Sequence, residues 1–169
     1  MRRMNMNNIL ASVLIVYFSA TGTTAQVAQN LATALDAPVY EIHPKERYIS
    51  ADLNWHNSQS RSSLEMENKV PYPELADLNA PVKDSDVIFL GFPIWWGTSP
   101  KIVNQFVKSY DLSGKKIVLF ATSGSSGLGN TAADLQKDAQ GNPEIINGKV
   151  LNGNPSVEKL QDFVKGLKL

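Results

Sequence analysis

The sequence contains no cysteine, and its acidic and basic side chains are equal in number. The absence of thiols excludes disulfides, thiolate nucleophiles and cysteine-ligated zinc or iron–sulfur clusters. Sixteen basic and sixteen acidic residues cancel to a net charge of zero, so the overall charge does not indicate a nucleic-acid or anionic-membrane partner. Only two histidines are present, and no group of His, Asp and Glu has metal-ligand spacing, so a metal centre is unsupported as well.

The chain also lacks an apolar run long enough to span a bilayer. Its first apolar run, ILASVLIVYF (9–18), follows two arginines, which is an arrangement that resembles a secretory signal peptide. The alternative is a disordered tail (1–8) followed by a buried strand. No small-residue cleavage site separates the run from the next loop, so we predict the tail and the strand. The remainder, 9–169, has the size of a single domain.

Two kinds of apolar pattern alternate along the chain. Short runs rich in Val, Ile and Phe predict buried strands, and apolar residues at helical spacing predict helices. The predicted strands cover 9–18, 39–42, 87–92, 117–121 and 145–151, with an interruption at Asn147-Gly148; the predicted helices cover 24–35, 101–110, about 130–139 and 156–167. This alternation predicts an α/β fold in which helices cover both faces of a parallel sheet.

One connection, residues 43–81, is polar, irregular and long for a compact domain. We predict one short helix within it, over about 51–68. Connections of this length are typical of lids and of segments that wrap over a site. Arg61 and Glu65, four residues apart, are either a pair on a helix surface or an anchor that docks the segment over a pocket. Asp52 is either part of that anchor or an N-cap.

Three unusual loops follow three of the predicted strands. Their sequences are SATGTT (19–24), PIWWGTSP (93–100) and TSGSSGLGN (122–130). Loops that leave the carboxyl ends of parallel strands gather at one edge of the sheet, and ligands bind there where the strand order reverses. We therefore expect the three loops to converge.

The first loop runs into the start of a helix, where free backbone N–H groups and the helix dipole favour an anion. Gly22 lets the backbone approach a ligand closely. The loop also offers the hydroxyl groups of Ser19, Thr21, Thr23 and Thr24. Such a loop can hold a phosphate without Lys or Arg, although a plain capped turn is the alternative because Ser and Thr are common N-caps. It lacks the signatures of the P-loop and of the dinucleotide-binding loop.

The second loop carries Trp95 and Trp96 between Pro93 and Gly97. Successive side chains of a strand alternate in direction, so we expect one indole in the core and the other at the edge, free to stack on an aromatic ring; the alternative is that both pack inside. The third loop offers backbone groups to the polar edge of a heterocycle, or is a flexible surface loop. Together the loops predict a planar heterocycle that carries a phosphate.

On four segments the sequence resembles the flavodoxin-like superfamily, and within it a branch seen in many bacteria. The segments are VYFSATGTT (16–24), DLNWHNSQSRSSLEMEN (52–68), VIFLGFPIWWGTSP (87–100) and FATSGSSGLGN (120–130). The resemblance implies an α/β flavodoxin-like three-layer sandwich with a five-stranded parallel sheet of order 2-1-3-4-5. It also implies FMN as a noncovalent cofactor. No acid–base set stands out among the side chains, so we predict no catalytic residue and, for want of ligand spacing, no metal.

The resemblance implies three groups of FMN-binding residues. The phosphate would be held by Ser19, Thr21, Gly22, Thr23 and Thr24. The isoalloxazine would lie against Pro93, Ile94, Trp95, Trp96 and Gly97, with Trp96 favoured as the stacking indole because it precedes the glycine. The other side of the ring, or its pyrimidine edge, would meet Thr122, Ser123, Gly124 and the residues to Gly127.

The implied function is that of a cytoplasmic, low-potential electron carrier that works with a redox partner protein. Two departures bear on this: the chain is neutral where carriers are usually acidic, and the fourth-strand loop has no aromatic residue. One flavin face would then be open, or covered by Tyr48, Trp55 or His56. The alternatives are an FMN-dependent NAD(P)H oxidoreductase with a small quinone-like or dye substrate, and a non-enzymatic module that binds flavin or another phosphorylated ligand. No nicotinamide-nucleotide site is legible, which favours the carrier.

Overall fold

A computed structural model describes residues 12–169, and five parallel strands form its centre. The predicted tail (1–8) and the start of the first predicted strand (9–11) lie outside the described residues. The strands are β1 (Val13–Tyr17), β2 (Val39–Glu41), β3 (Val87–Pro93), β4 (Lys116–Thr122) and β5 (Glu144–Val150). All adjacent pairs are parallel and the order is β2-β1-β3-β4-β5, which confirms the predicted sheet.

Helices cover both faces of this sheet. They are α1 (Thr23–Leu35), α2 (Arg61–Met66), α3 (Lys101–Ser109), α4 (Thr131–Asp138) and α5 (Val157–Leu167). Helices α1 and α5 pack against one face, and α3 and α4 against the other. The four long helices agree with their predicted bounds to within one residue at each end. Among residues 12–169, no helix combines the length and apolar character needed to cross a bilayer.

Strand β1 explains why both layers are needed. Its residues are buried on both sides, and Leu14, Ile15 and Val16 are completely inaccessible to solvent. Leu14 and Val16 belong to the core beneath α3 and α4, whereas Ile15 belongs to the core beneath α1 and α5. Because side chains alternate along a strand, a continuous apolar run requires an apolar layer on each face.

The long connection folds differently from the single helix predicted over 51–68, which was wrong in extent. It forms a 3₁₀ turn (Ser50–Leu53) and, separately, the short helix α2. Between them the side chains of Asn54 and Asn57 accept hydrogen bonds from the backbone N–H groups two residues further on, at 3.1 and 2.9 Å. Such Asx turns compete with helix formation. Ser60 then starts α2 by accepting from the Ser63 N–H. A second 3₁₀ turn covers Val82–Asp84.

Strand β5 runs through Asn147-Gly148 without a break in the strand, and the irregularity predicted there is a shift in its pairing with β4. The pairing register with β4 shifts there, because Leu119 pairs with Asn147 but Phe120 pairs with Lys149. Gly148 is therefore the extra residue of a β-bulge. A Cβ at Gly148 would lie 2.1 Å from the Leu119 carbonyl oxygen, a distance at which no side chain fits.

Gly148→Ala should lower the free energy of unfolding by about 2 kcal/mol or more, because backbone must move to admit the methyl group. Urea unfolding would measure this loss. The matched control is Gly166→Ala in α5, where an added Cβ meets nothing within 4 Å. That change should raise stability by about 0.5–1 kcal/mol, since alanine is the better helix former. Equal effects of the two substitutions would contradict the role of the bulge.

Candidate functional site

The loops that follow β1, β3 and β4 lie side by side at the carboxyl edge of the sheet. The hydroxyl groups of Thr24 and Thr122 are hydrogen-bonded at 2.7 Å, which joins the first loop to the third. The Ile94 N–H donates to the Thr122 carbonyl at 2.9 Å, which joins the second loop to the third. Phe18 directly precedes the first loop, and its ring meets that of Trp95 in the second loop edge to face at 5.9 Å. The expected convergence is therefore observed.

Ser19 shapes the first loop. Its hydroxyl oxygen accepts hydrogen bonds from the backbone N–H groups of Gly22 and Ala25, both at 3.1 Å. Gly22, at the N-cap of α1, has a left-handed backbone with φ of 97°. For Ser19 the capped-turn interpretation therefore applies, because its oxygen stabilises the start of α1.

The remaining donors of the first loop are the candidate anion site. Thr21 and Thr23 are exposed, and the first turn of α1 contains no acidic residue. The backbone N–H groups of Thr21, Thr23 and Thr24 have no acceptor among residues 12–169. Thr24 itself is buried with its hydroxyl turned to Thr122, so it can offer a ligand only its backbone.

The second loop is a tight turn that separates the two indoles. Trp95 and Thr98 exchange both backbone hydrogen bonds, at 2.8 and 3.1 Å. Between them Trp96 and Gly97 both have positive φ, 50° and 77°, as in the turns typical of hairpins. A left-handed conformation costs a non-glycine residue about 1–2 kcal/mol. The turn holds Trp96 49 % exposed at the edge, while Trp95 packs against the core. The predicted division of the two indoles is thus observed.

Tyr48 of the long connection supports Trp95. The rings of Tyr48, Phe18 and Trp95 meet pairwise edge to face, with centroids 5.5–5.9 Å apart. The Arg61 guanidinium lies 3.9 Å over the Tyr48 ring, and the Tyr48 hydroxyl donates to Glu65. Burial raises the pKa of Tyr48 above its ordinary value, and the Glu65 carboxylate raises it further. Tyr48 therefore supports the second loop from beneath.

Arg61 anchors the long connection. Its Nε donates to Glu65 Oε2 at 2.9 Å, and the two side chains are only 18 % and 4 % exposed. The guanidinium also donates to the Glu46 carbonyl at 2.8 Å and lies 3.8 Å from the Asp52 carboxylate. Asp52 also accepts from the Ile49 N–H; it lies within the 3₁₀ turn, whose N-cap is Ile49, so the prediction of Asp52 as an N-cap was wrong. These contacts match the anchor interpretation and exclude a solvated surface pair.

A pocket of about 420 Å³ lies between the long connection and the second loop. Its lining is aromatic and aliphatic except for one hydroxyl group, and consists of Leu53, Trp55, Ser62, Ile94, Trp95 and Trp96. Trp55 is 65 % exposed, and the His56 ring stacks on it with centroids 3.7 Å apart. In size and polarity the pocket suits a planar, largely apolar small molecule.

In the third loop, Asn152 holds Ser123. Its side chain accepts from the Ser123 N–H at 2.9 Å and donates to the Ser123 carbonyl at 2.6 Å. Ser123 thus has no free backbone group, whereas Gly124 and Gly127 are exposed. Sequence reasoning missed Asn152, and the one signal for it is its position directly after the strand that neighbours β4.

A polar network behind the second loop was also missed. Thr98 donates to Asp134 at 2.7 Å, and Asp138 accepts from Asn104 at 3.0 Å and from the Tyr72 hydroxyl at 2.8 Å. Burial, together with the Asp138 carboxylate, raises the pKa of Tyr72 to about 12. These contacts hold the end of the turn against α4 and connect α4 to α3. Within residues 12–169, no group of three potential metal ligands occurs.

The family model for flavodoxin matches residues 12–167 of the sequence. The chain belongs to the flavodoxin family. This confirms the resemblance carried by the loop segments, and the solved structures similar to this flavodoxin agree with it. No curated protein matches the sequence.

Two solved structures from Bacteroides cover nearly the whole chain. A protein of Bacteroides uniformis assigned as a flavoprotein is 42 % identical, with 91 % of this chain and 97 % of that chain covered and a TM-score of 0.84. A protein of Bacteroides eggerthii with the same assignment is 38 % identical, with 94 % of this chain and 98 % of that chain covered and a TM-score of 0.86. A flavoprotein of Lactobacillus acidophilus, solved in complex with FMN, shares the fold at 20 % identity. The match covers 82 % of this chain and 91 % of that chain, with a TM-score of 0.63.

Arg61→Met should lower the free energy of unfolding by about 3 kcal/mol, because it leaves the buried Glu65 carboxylate without its cation. Urea unfolding would measure the loss. Lys45→Ala is the matched control on the same connection, since the Lys45–Glu74 pair is 3.4 Å apart but more than 70 % exposed on both sides. Its removal should change stability by less than about 0.5 kcal/mol. Comparable losses of unfolding free energy in both variants would contradict the conclusion that Arg61 anchors the long connection.

Proposed function

We propose that this flavodoxin binds FMN at the carboxyl edge of its sheet and acts as an electron carrier. The proposal rests on one observation: the start of α1, which is rich in hydrogen-bond donors, and the aromatic pocket both lie at the carboxyl edge of the sheet. The first and second loops leave β1 and β3, between which the strand order reverses. Open α/β sheets bind ligands at such a reversal, a rule for which flavodoxins are themselves a standard example.

The first loop suits the FMN phosphate. Exposed hydroxyl groups of Thr21 and Thr23, with the backbone N–H groups of residues 21, 23 and 24, would donate to its oxygens. The absence of an acidic residue from the first turn of α1 leaves the helix dipole uncompensated, which favours a dianion. Ser19 and Gly22 would shape the loop, and Thr24 would contribute its backbone.

The second loop suits the isoalloxazine ring. Pro93, Ile94, Trp95, Trp96 and Gly97 provide the surface against which the ring would lie, with the exposed Trp96 indole available to stack. In the third loop, the stretch from Gly124 to Gly127 would meet the flavin, because the Ser123 backbone is bonded to Asn152 and the Thr122 hydroxyl to Thr24. Those two residues would position the loop.

The flavoprotein of Lactobacillus acidophilus that shares this fold contains FMN, which supports FMN as the ligand. When bound, FMN supplies one- and two-electron redox chemistry, while the protein supplies binding, orientation and exclusion of water. The sequence resemblance implies a cytoplasmic protein, and we propose that location.

Titration of purified protein with FMN and with riboflavin, which lacks the phosphate, tests the site. Thr23→Glu adds a negative charge at the start of α1, where it also interacts favourably with the helix dipole, so the fold should keep its stability. Repulsion of the phosphate should weaken FMN binding about a hundredfold. Riboflavin should bind as it does to the unchanged protein, and flavin fluorescence reports both affinities.

Thr23→Gln is the matched control, because it has the size of the glutamate variant without the charge. It should cost FMN affinity only the lost hydroxyl contact, about five- to tenfold. If Thr23→Glu and Thr23→Gln bind FMN equally, the phosphate does not lie at this loop. A protein that binds neither flavin would instead be a flavodoxin-fold module with a different ligand.

The carrier and the oxidoreductase differ in their need for a second protein. The neutral net charge, where carriers are usually acidic, favours the alternative of an oxidoreductase with a small quinone-like substrate. As a carrier, the FMN-loaded protein should not consume NAD(P)H with a quinone unless a flavodoxin reductase is added, which absorbance at 340 nm would follow. Sustained NAD(P)H consumption by the purified protein alone would mean that it is an NAD(P)H:quinone oxidoreductase and not a carrier.

A further inference from the structure

The long connection forms one side of the aromatic pocket, and Trp55 is its most exposed contribution. We propose that Trp55 is the second aromatic wall of the flavin site, so that the isoalloxazine ring is held between the long connection and the second loop. This inference rests on the proposed FMN function. It assigns to residues 43–81 a direct part in recognising the ring.

The third loop offers no such wall. Its residues after Thr122, SGSSGLGN (123–130), include no aromatic side chain. Tyr48 is committed to Trp95, Arg61 and Glu65, and its ring is no part of the pocket lining. His56 stacks on Trp55 and is outside the lining as well. Of the three residues of the connection that could cover a flavin face, Trp55 is the one at the pocket.

The exposure of Trp55 itself points to a ligand. Five large apolar side chains are exposed among residues 12–169, and two of them, Trp55 and Trp96, line the same pocket. Exposed apolar surface that clusters in this way marks binding sites, whereas scattered exposed residues need no explanation. Indole faces are suited to stacking on a flat heterocycle.

The backbone at Trp55 is fixed from both sides. The preceding 3₁₀ turn is tied to Arg61 through Asp52, and the following helix α2 contains Arg61 and Glu65. The Asn54 side chain accepts from the His56 N–H at 3.1 Å, which fixes the turn around Trp55. A backbone held in this way before the ligand arrives loses little further conformational entropy on binding.

The pocket also contains one polar group. Ser62 is 1 % exposed and lines the pocket, and its hydroxyl has only a 3.4 Å contact with the Ser60 hydroxyl. A buried hydroxyl with a weak partner can serve a ring nitrogen or oxygen. The lining therefore selects a flat heterocycle with a polar edge, and it makes no contribution toward a phosphate.

The two flavins separate this wall from the phosphate loop. Trp55→Ala should weaken FMN and riboflavin binding by the same factor, about tenfold, because both ligands carry the ring. Quenching of bound-flavin fluorescence should also decrease. Thr23→Glu, in contrast, should affect FMN alone. Since Trp55 is largely exposed, its loss should leave the unfolding midpoint in urea unchanged.

Two variants serve as controls. Trp55→Phe keeps an aromatic face and should retain most of the affinity for both flavins. Leu78→Ala removes another exposed apolar side chain of the connection, outside the pocket, and should change neither affinity. Suppose that the unchanged protein binds FMN. If Trp55→Ala then binds each flavin as tightly as the unchanged protein does, or loses affinity for FMN alone, the assignment of Trp55 as a wall is overturned and the FMN proposal stands. If the unchanged protein binds neither flavin, both proposals are overturned.

Discussion

Strand β1 pairs in parallel with β2 on one side and with β3 on the other, and it is buried on both faces. This pairing decides where ligand-binding groups can lie, because parallel strands end at the same edge. The chain leaves β1 into the start of α1, and it leaves β3 into the tryptophan turn. Two segments are thereby joined by the contact of Phe18 with Trp95, residues that are 77 positions apart in sequence. The position of the candidate site therefore follows from the order and direction of the strands.

Tyr48 links this edge to the long connection. One part of its ring meets Phe18 and Trp95, and its face and hydroxyl meet Arg61 and Glu65. Through it the connection, which would otherwise be a polar loop, is attached to the sheet core. The strained turn at Trp96 is held from behind by the hydrogen bond of Thr98 to Asp134. Both sides of the pocket are thus supported by partly buried polar contacts.

The sheet, its order and the long helices could be predicted because apolar periodicity reports burial directly. The run Val13–Phe18 and the spacing within α1 leave few alternatives. The sequence was uninformative where side chains compete locally with backbone, as at Asn54 and Asn57, where Asx turns break the predicted helix. At Asn147-Gly148 the sequence indicated an irregularity but not its kind, because a bulge depends on the neighbouring strand.

The residues of the site were predictable by type, and their partners were not. Serine and threonine in the first loop indicated donors, but nothing local indicated that Ser19 caps α1 or that Thr24 faces Thr122. Asn152 and Asp138 act across long sequence separations, which periodicity does not reveal. Likewise Arg61 and Glu65 showed helical spacing, yet only the fold shows that they are buried.

The most direct test is a titration of isotope-labelled protein with FMN, followed by the chemical shifts of assigned backbone amides and indole N–H groups. We expect the largest chemical-shift changes at the backbone amides of residues 21–24 and at the indole N–H groups of Trp55 and Trp96. Riboflavin should reproduce the indole changes without those at 21–24. Changes confined to another face of the molecule, or none at saturating FMN, would contradict a flavin site at the carboxyl edge of the sheet.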